Sequence, residues 1–203
     1  KPISQGGGLL LDKSDLYAVE GNYDFTSVTK DVADILVGVN YKKYVLNSEG
    51  TLFADYPGTG TLGISAYGCF IQAIRKITDY LKITASGRYD KNENFKGRFT
   101  PRITAVIKAK ENNNFRLSYQ TAYRFPSTQQ QWIDLDLFSY KLIGGNKSFV
   151  SKYHFDTNPA YYRDSLQNGV VKQWDYPLQK PESLTSFEVG YRGLLLDQKL
   201  MID

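Results

Sequence analysis

The sequence predicts an all-β fold, an antiparallel up-and-down sheet of about eight strands that forms part of a transmembrane β-barrel. Three observations predict this fold. Apolar and polar residues alternate along most of the chain, the alternating segments are long, and the segments that join them are short at one end and long at the other.

The alternation is clearest in residues 115–126. The odd positions are Phe, Leu, Tyr, Thr, Tyr and Phe, whereas the even positions are Arg, Ser, Gln, Ala, Arg and Pro. Because successive side chains of a strand point to opposite faces, this segment has one apolar face and one polar face. The same period recurs in residues 16–25, 35–45, 81–90, 97–110 and 185–195.

Two segments fit the pattern less simply. In residues 63–81, Ile71, Ile74 and Ile77 also match the apolar stripe of a helix. We predict a strand there because the neighbouring segments are strands. Pro101 removes a hydrogen-bond donor from its strand, which is tolerated near a strand end.

The predicted connections are short at one end of the strands and long at the other. Outer-membrane barrels show this asymmetry, whereas a soluble β-sandwich has no physical reason for it. The short connections are residues 26–33, 79–80, 111–113 and 197–199, and the longer ones are residues 47–62, 91–96 and 127–182.

Strand length indicates what the apolar face contacts. A strand from Asn114 to Arg124 rises roughly 25 Å if each residue advances ~3.3 Å at a tilt of ~45°, which matches the apolar band of a barrel. Strands of soluble sandwiches usually have only ~5–6 residues. Aromatic residues lie at the strand ends, as in interfacial girdles, although Tyr and Phe also favour strands in general. We therefore predict that the apolar face contacts lipid.

Composition excludes several classes of protein. The net charge is +4 and the Lys and Arg residues are spread along the chain, so we expect no nucleic-acid partner. One Cys and one His leave few zinc ligands, and we expect no metal and no cofactor. No apolar run reaches the ~18 residues of a membrane-spanning helix. Since the chain does not start with Met and stops in an apolar stretch, we interpret it as a piece of a longer protein.

The sequence contains no recognisable catalytic group, and we predict that the chain is not an enzyme. His154 has no Ser or Cys at a motif spacing, and Asp134 and Asp136 form no recognisable acid pair. Residues 90–94 have the Asp-x-Asn-x-Asn pattern that begins a calcium loop, but the later Gly and Glu of such a loop are missing. A polar turn is the expected structure there.

Three motifs resemble the C-terminal part of the barrel in TonB-dependent outer-membrane receptors, and the resemblance covers roughly residues 63–203. An Arg-Tyr-Asp strand end leads over a turn to Thr-Pro-Arg, a Phe-Arg-Leu-Ser-Tyr strand follows, and a Pro-Glu pair after a large loop begins the next strand. In this sequence the first motif is residues 88–90 and 100–102. The second motif is residues 115–119 with Arg124 and Pro126. The third motif is Pro181 and Glu182 with Glu188, Gly190, Tyr191 and Arg192.

The resemblance implies a 22-strand barrel with a plug domain in its lumen, located in the outer membrane of a Gram-negative bacterium. Such receptors import scarce nutrients, for example iron chelates, cobalamin or glycans, with energy delivered by TonB. Residues 1–203 would then be a fragment of the barrel without its plug. The expected partners are outer-membrane lipid, the nutrient ligand and, through the plug domain, the TonB complex.

The resemblance also suggests where a ligand binds. The outer loop, at about residues 127–182, is rich in aromatic residues, which either stack on a sugar or an apolar chelate or pack the loop upon itself. Residues 132–138 also fit a short strand that extends the sheet. We predict ligand contacts for Trp132, Tyr140, Tyr161, Tyr162 and Trp174, and we expect Arg88, Arg102, Arg116 and Arg124 to line the lumen and hold the plug.

One alternative stays open at this point. A soluble, secreted all-β carbohydrate-binding module would also have strands with one solvated polar face. Water on the polar face and protein atoms on the apolar face would identify such a module.

Overall fold

The structure, a computed structural model, describes residues 3, 6–29, 32–55, 60–196 and 199–202, with only the backbone of Leu195. The chain divides into two compact units. The sheet unit consists of residues 17–43, 65–124 and 182–203, and the loop unit consists of residues 1–16, 44–64 and 125–181.

Strands dominate the structure, as the alternation predicts. None of the described helices has the length and apolar character needed to cross a membrane. The strands are β1 (Asp15–Asp24), β2 (Asp34–Leu46), β3 (Leu62–Thr78), β4 (Leu81–Asn92), β5 (Arg98–Lys110), β6 (Asn113–Arg124), β7 (Asp134–Asp136), β8 (Lys141–Ile143), β9 (Glu182–Leu195) and β10 (Leu200–Ile202), and the helices are α1 (Thr26–Thr29), α2 (Thr128–Trp132), α3 (Ser148–Lys152) and α4 (Arg163–Gln167).

Eight of the strands form one sheet in the order β1-β2-β3-β4-β5-β6-β9-β10, which confirms the predicted number. The strands are arranged up and down, and β1 and β10 form the two edges of the sheet. Among the described residues the sheet is thus open and does not close on itself. The segment that also fitted a helical stripe is strand β3, so the prediction of a strand is confirmed.

The connections have the predicted asymmetry with one exception, because the nine residues 25–33 between β1 and β2 outnumber the five residues 93–97 between β4 and β5 at the opposite end. Two residues, Asp79 and Tyr80, separate β3 from β4, and β5 leads into β6 through a similarly tight turn. At the opposite ends of the strands, residues 47–61 and 125–181 form the long connections. We call these two ends the short-turn end and the long-loop end. The Asp-x-Asn-x-Asn segment is a polar turn at the long-loop end, where the Asn92 side chain accepts a hydrogen bond from the backbone of Asn94 at 3.0 Å.

The cross-strand register keeps the two faces of the sheet separate. Ile83 lies opposite Ala105, and Ala105 lies opposite Leu117, which in turn lies opposite Val189. The polar residues that are one position further along each strand lie opposite each other in the same way, on the other face of the sheet. A register slip of one residue would exchange the faces, so the sequence pattern fixes the pairing. Pro101 fits within β5, opposite Gly87.

The loop unit has a small core of its own. Leu46, Phe53 and Ile64 are buried together, and Trp132 packs against them. Helix α2 begins with a capping box, because the Ser127 hydroxyl accepts from the backbone of Gln130 at 3.1 Å while the Gln130 side chain accepts from the backbone of Ser127 at 2.8 Å.

A row of aromatic contacts continues from this core through the long connection. The ring centroids are 6.3 Å apart between Trp132 and Phe149, 6.0 Å between Phe149 and Tyr153, 5.8 Å between Tyr153 and Phe155, and 5.5 Å between Phe155 and Tyr176. Such ring pairs add stability beyond the area that they bury. The row gives a long irregular segment a defined structure.

Two phenols in this row are held in their neutral form. Burial raises the pKa of Tyr176 to about 12, and its hydroxyl donates to the backbone oxygens of Gly144 and Asn146. Burial and a hydrogen bond to Asp134 raise the pKa of Tyr153 still further. In the unfolded chain both phenols would ionise near pH ~10. The stability that they contribute is therefore complete below pH ~10 and is lost as the pH rises through the folded pKa values.

This arrangement predicts a late phase in the alkaline titration of the complete protein. We expect phenolate absorbance to rise in a component near pH 12 or above, accompanied by faster amide exchange in residues 134–179. The double variant Tyr153→Phe/Tyr176→Phe should reduce the amplitude of this component by two phenols, whereas Tyr140→Phe, which removes an exposed phenol, should leave the amplitude unchanged. An unchanged amplitude in the double variant would contradict the assignment.

Candidate functional site

The polar face of the sheet unit is a continuous hydrogen-bonding surface. In its middle, the buried hydroxyls of Thr104 and Ser118 are 3.0 Å apart on neighbouring strands. The Gln120 amide donates to the Glu188 carboxylate at 2.9 Å one strand further along. These contacts satisfy polar groups side by side across the strands, as a hydrated or protein-filled interior requires.

All four arginines predicted to line the lumen lie on this polar face. Arg88 donates twice to Asp90 at 2.6 Å, and Arg124 donates to Glu182 at 2.9 Å, both near the long-loop end. Arg102 lies opposite Ser86 and Gln120, and Arg116 lies opposite Val106 and Gly190. The register therefore brings these arginines to one face, although it does not bring them into contact with each other.

The opposite face of the sheet unit is apolar and exposed. Val189 is 81% exposed and Phe187 is 79% exposed, and Leu117 and Ile103 are also exposed. No second layer of protein covers this face among the described residues. Rings pair across it, with centroids 4.9 Å apart for Tyr119 and Phe187. An exposed apolar surface that spans several strands is typical of a face that contacts lipid or a partner.

The five aromatic residues predicted to contact a ligand fall into two groups. Trp132 packs on the core of the loop unit, and its indole N–H is buried without an acceptor among the described residues. Trp174 is half-buried against Phe155, with ring centroids 5.5 Å apart. The exposed group consists of Tyr140, Tyr161 and Tyr162.

A buried carboxylate fixes the small hairpin of the loop unit. The side chain of Asp134 in β7 is 0% exposed, and it binds the Lys152 ammonium and the Tyr153 hydroxyl, the latter at 2.5 Å. Lys141 of β8 lies 3.5 Å away. Burial lowers the pKa of Lys152 to about 8. The ammonium is therefore still charged at neutral pH, and the pair joins α3 to the hairpin.

The tip of this hairpin has an exposed aromatic residue that the prediction of ligand contacts did not include. Strands β7 and β8 form a two-stranded sheet of their own, so the predicted short strand exists but does not extend the main sheet. Between them, Phe138 is 81% exposed and has a φ of 68°. This conformation costs ~1–2 kcal/mol for a residue other than glycine. The signal in the sequence was the aromatic content of the loop at about residues 127–182, which includes Phe138.

Comparison with known proteins identifies the family. The family model described as "TonB dependent receptor-like, beta-barrel" matches residues 4–203. A search of curated proteins gave no match. Among solved structures, the chain is similar to the siderophore receptor PirA from Acinetobacter baumannii, with a TM-score of 0.54 and 14% sequence identity.

The structural match covers 89% of this chain but 24% of that receptor, so the chain spans about a quarter of its length. At this identity the match shows the fold, which is part of a receptor barrel. The family match extends over nearly the whole sequence and also includes the first strands, which the motifs had left out. The chain therefore belongs to the TonB-dependent receptor-like β-barrel family.

Proposed function

We propose that this chain forms part of the barrel of an outer-membrane receptor that binds a scarce nutrient and imports it with energy from the TonB complex. The nutrient would be an iron chelate, cobalamin or a glycan. The observation that carries the proposal is the sheet unit, which has one apolar, exposed face and one polar face with its own hydrogen-bond network. Family membership supplies the transport context.

The apolar face supports a location in the membrane. In water, a surface that includes Phe187 and Val189 at about four-fifths exposure would favour aggregation. In a bilayer the same side chains contact acyl chains and cost nothing to expose. The soluble carbohydrate-binding module is disfavoured for the same reason, because it would need a second layer of protein over this face.

The polar face supports a lumen that holds a plug domain. Arg88, Arg102, Arg116 and Arg124 would line it, and the TonB complex would act through that plug, elsewhere in the receptor. At the long-loop end, the exposed residues Tyr140, Tyr161 and Tyr162 are the strongest candidates for ligand contact. Trp132 and Trp174 would support the loop from within, because both pack against other rings.

The proposed lipid contact predicts a difference between two arginine substitutions on β6. Leu117→Arg places a charge near the middle of the apolar face and should cost about 2–4 kcal/mol of barrel stability. Gln120→Arg, on the polar face, keeps an acceptor in Glu188 and should change stability little. The complete receptor, refolded into lipid vesicles, would be titrated with urea and followed by its heat-dependent migration on gels.

Specific outcomes of these measurements would contradict the proposal. Equal losses in the two variants, or a larger loss for Gln120→Arg, would contradict the assignment of the two faces. Recovery of the complete receptor as a folded monomer in water without detergent would contradict the membrane location itself.

The proposed ligand contact predicts weaker binding when the exposed tyrosines are removed. Uptake of a ferric siderophore, cobalamin and an oligosaccharide would first be measured in cells with and without TonB. For the probe that is imported, Tyr161→Ala/Tyr162→Ala should lose about 0.5–1.5 kcal/mol of binding energy per stacked ring. Tyr80→Ala, which removes an exposed ring from a short turn, is the matched control.

Two results would count against this assignment. An equal loss in Tyr80→Ala would show that the effect does not arise at the loop. Uptake of none of the three probes in a TonB-dependent manner would contradict import of these nutrients.

A further inference from the structure

Five cations lie on two adjacent levels of the polar face, near the short-turn end. The register places Lys76 opposite Lys82, Arg116 opposite Gly190, and Lys108 and Arg192 on either side of Asn114. All five side chains are exposed. Five strands that are neighbours in the sheet thus contribute one cation each. We call this set the cation band, which consists of Lys76 on β3, Lys82 on β4, Lys108 on β5, Arg116 on β6 and Arg192 on β9.

Carboxylates pair with only some of the cations in the band. Asp79, in the adjoining turn, pairs with Lys76 at 2.8 Å, and Asp34 lines the same cavity without an ion pair among the described residues. Glu188, one level away, accepts hydrogen bonds from Gln120 and Ser186. Lys82, Lys108 and Arg116 take part in none of the ion pairs found among the described residues.

Two observations support a concentration of positive charge in the band. The hydrogen bond from Lys76, together with the charges of Lys76 and Lys108, holds the pKa of Asp79 below its usual range. Lys76 and Lys82 also lie directly opposite each other on paired strands. Like charges at such positions destabilise a sheet. A partner of opposite charge would remove this cost.

Space for a partner runs along the band. Lys76, Lys82 and Lys108 line a cavity of about 350 Å³, and Arg116 and Arg192 line a second one of about 710 Å³. The two cavities share Val106 and Asn114, so they are adjacent on the face. Strands are spaced ~4.8 Å apart, and five strands therefore span roughly 19 Å, which is the length of about six extended residues.

We propose that the cation band docks an acidic polypeptide segment of the domain that fills the barrel. This inference rests on the proposed function, because the polar face must be the lumen. Charge selects an acidic partner, and the length of the band fits a peptide better than a small anion. A lipid headgroup is disfavoured because the acyl chains would lie on the opposite, apolar face of the same strands.

Zero-length crosslinking of the complete receptor in detergent tests the proposal directly. A carbodiimide joins a lysine to a carboxylate only when the two are in contact, and peptide mass spectrometry identifies the pair. We expect Lys82 and Lys108 to be joined to Asp or Glu residues of the lumen-filling domain. Lys13 and Glu49, which form an ion pair at 2.5 Å in the loop unit, provide the internal control.

The crosslinks identify which molecule or segment contacts the cation band. If Lys13 is joined to Glu49 while the band is joined only to Asp34 or Asp79, or to nothing, the docking proposal is wrong. Crosslinks to a second protein would equally overturn it. A vesicle of anionic phospholipid that protects the lysines from modification in the complete receptor would assign the band to lipid instead.

Neutralising the band should loosen the docked segment. Exposed ion pairs contribute little individually, so we expect Lys82→Gln/Arg116→Gln to increase the rate of proteolysis of that segment about two- to fivefold at low salt. High salt should reduce the difference from wild type. Arg98→Gln/Lys172→Gln removes two exposed cations that lie outside the band and are assigned no plug contact, and it should leave the rate unchanged.

These measurements separate the proposal from the function on which it rests. Equal acceleration in the control variant would contradict docking at the band. A receptor that fractionates outside the outer membrane would contradict the proposed function, whatever the crosslinks show. A receptor in the outer membrane that imports its nutrient but lacks the crosslinks would contradict the docking proposal alone.

Discussion

The antiparallel ladder in a fixed register is the constraint on which the sheet unit depends. Each strand has side chains on both faces, so the faces stay distinct only if every neighbour is paired without a slip. The chain of opposite residues from Ile83 through Ala105 and Leu117 to Val189 shows that this is achieved across four strands. Separation of the apolar face from the polar face is a consequence of that pairing, and no single contact provides it.

Charge on the polar face changes from one end of the strands to the other. At the long-loop end, Arg88 and Arg124 have carboxylate partners on the same sheet. In the middle, hydroxyls such as those of Thr104 and Ser118 bond to each other. At the short-turn end, cations predominate. The sheet therefore satisfies its own polar groups over most of its length and leaves one region that favours an acidic partner.

The sequence predicted the fold closely and the site only in part. Period-two alternation depends on local chain geometry, so it identified the eight strands, including β3 with its ambiguous isoleucines. The packing of Trp132 against the core and the burial of Asp134 beside Lys152 depend on contacts between distant residues. The cation band was not predicted for the same reason, since Lys76 and Arg192 are far apart in the sequence and reach the same region of the polar face only through the register.

The short and the long connections differ in how much sequence change they can accept. The turn at Asp79 and Tyr80 has almost no backbone outside the ladder, so an added residue there would disturb the pairing of two strands. The connection at residues 125–181 packs on the core of the loop unit through Trp132 and has an aromatic row of its own, so it can accept insertions and new surface residues without altering the register. Mutations can therefore accumulate in this connection over generations while the paired strands are inherited nearly unchanged.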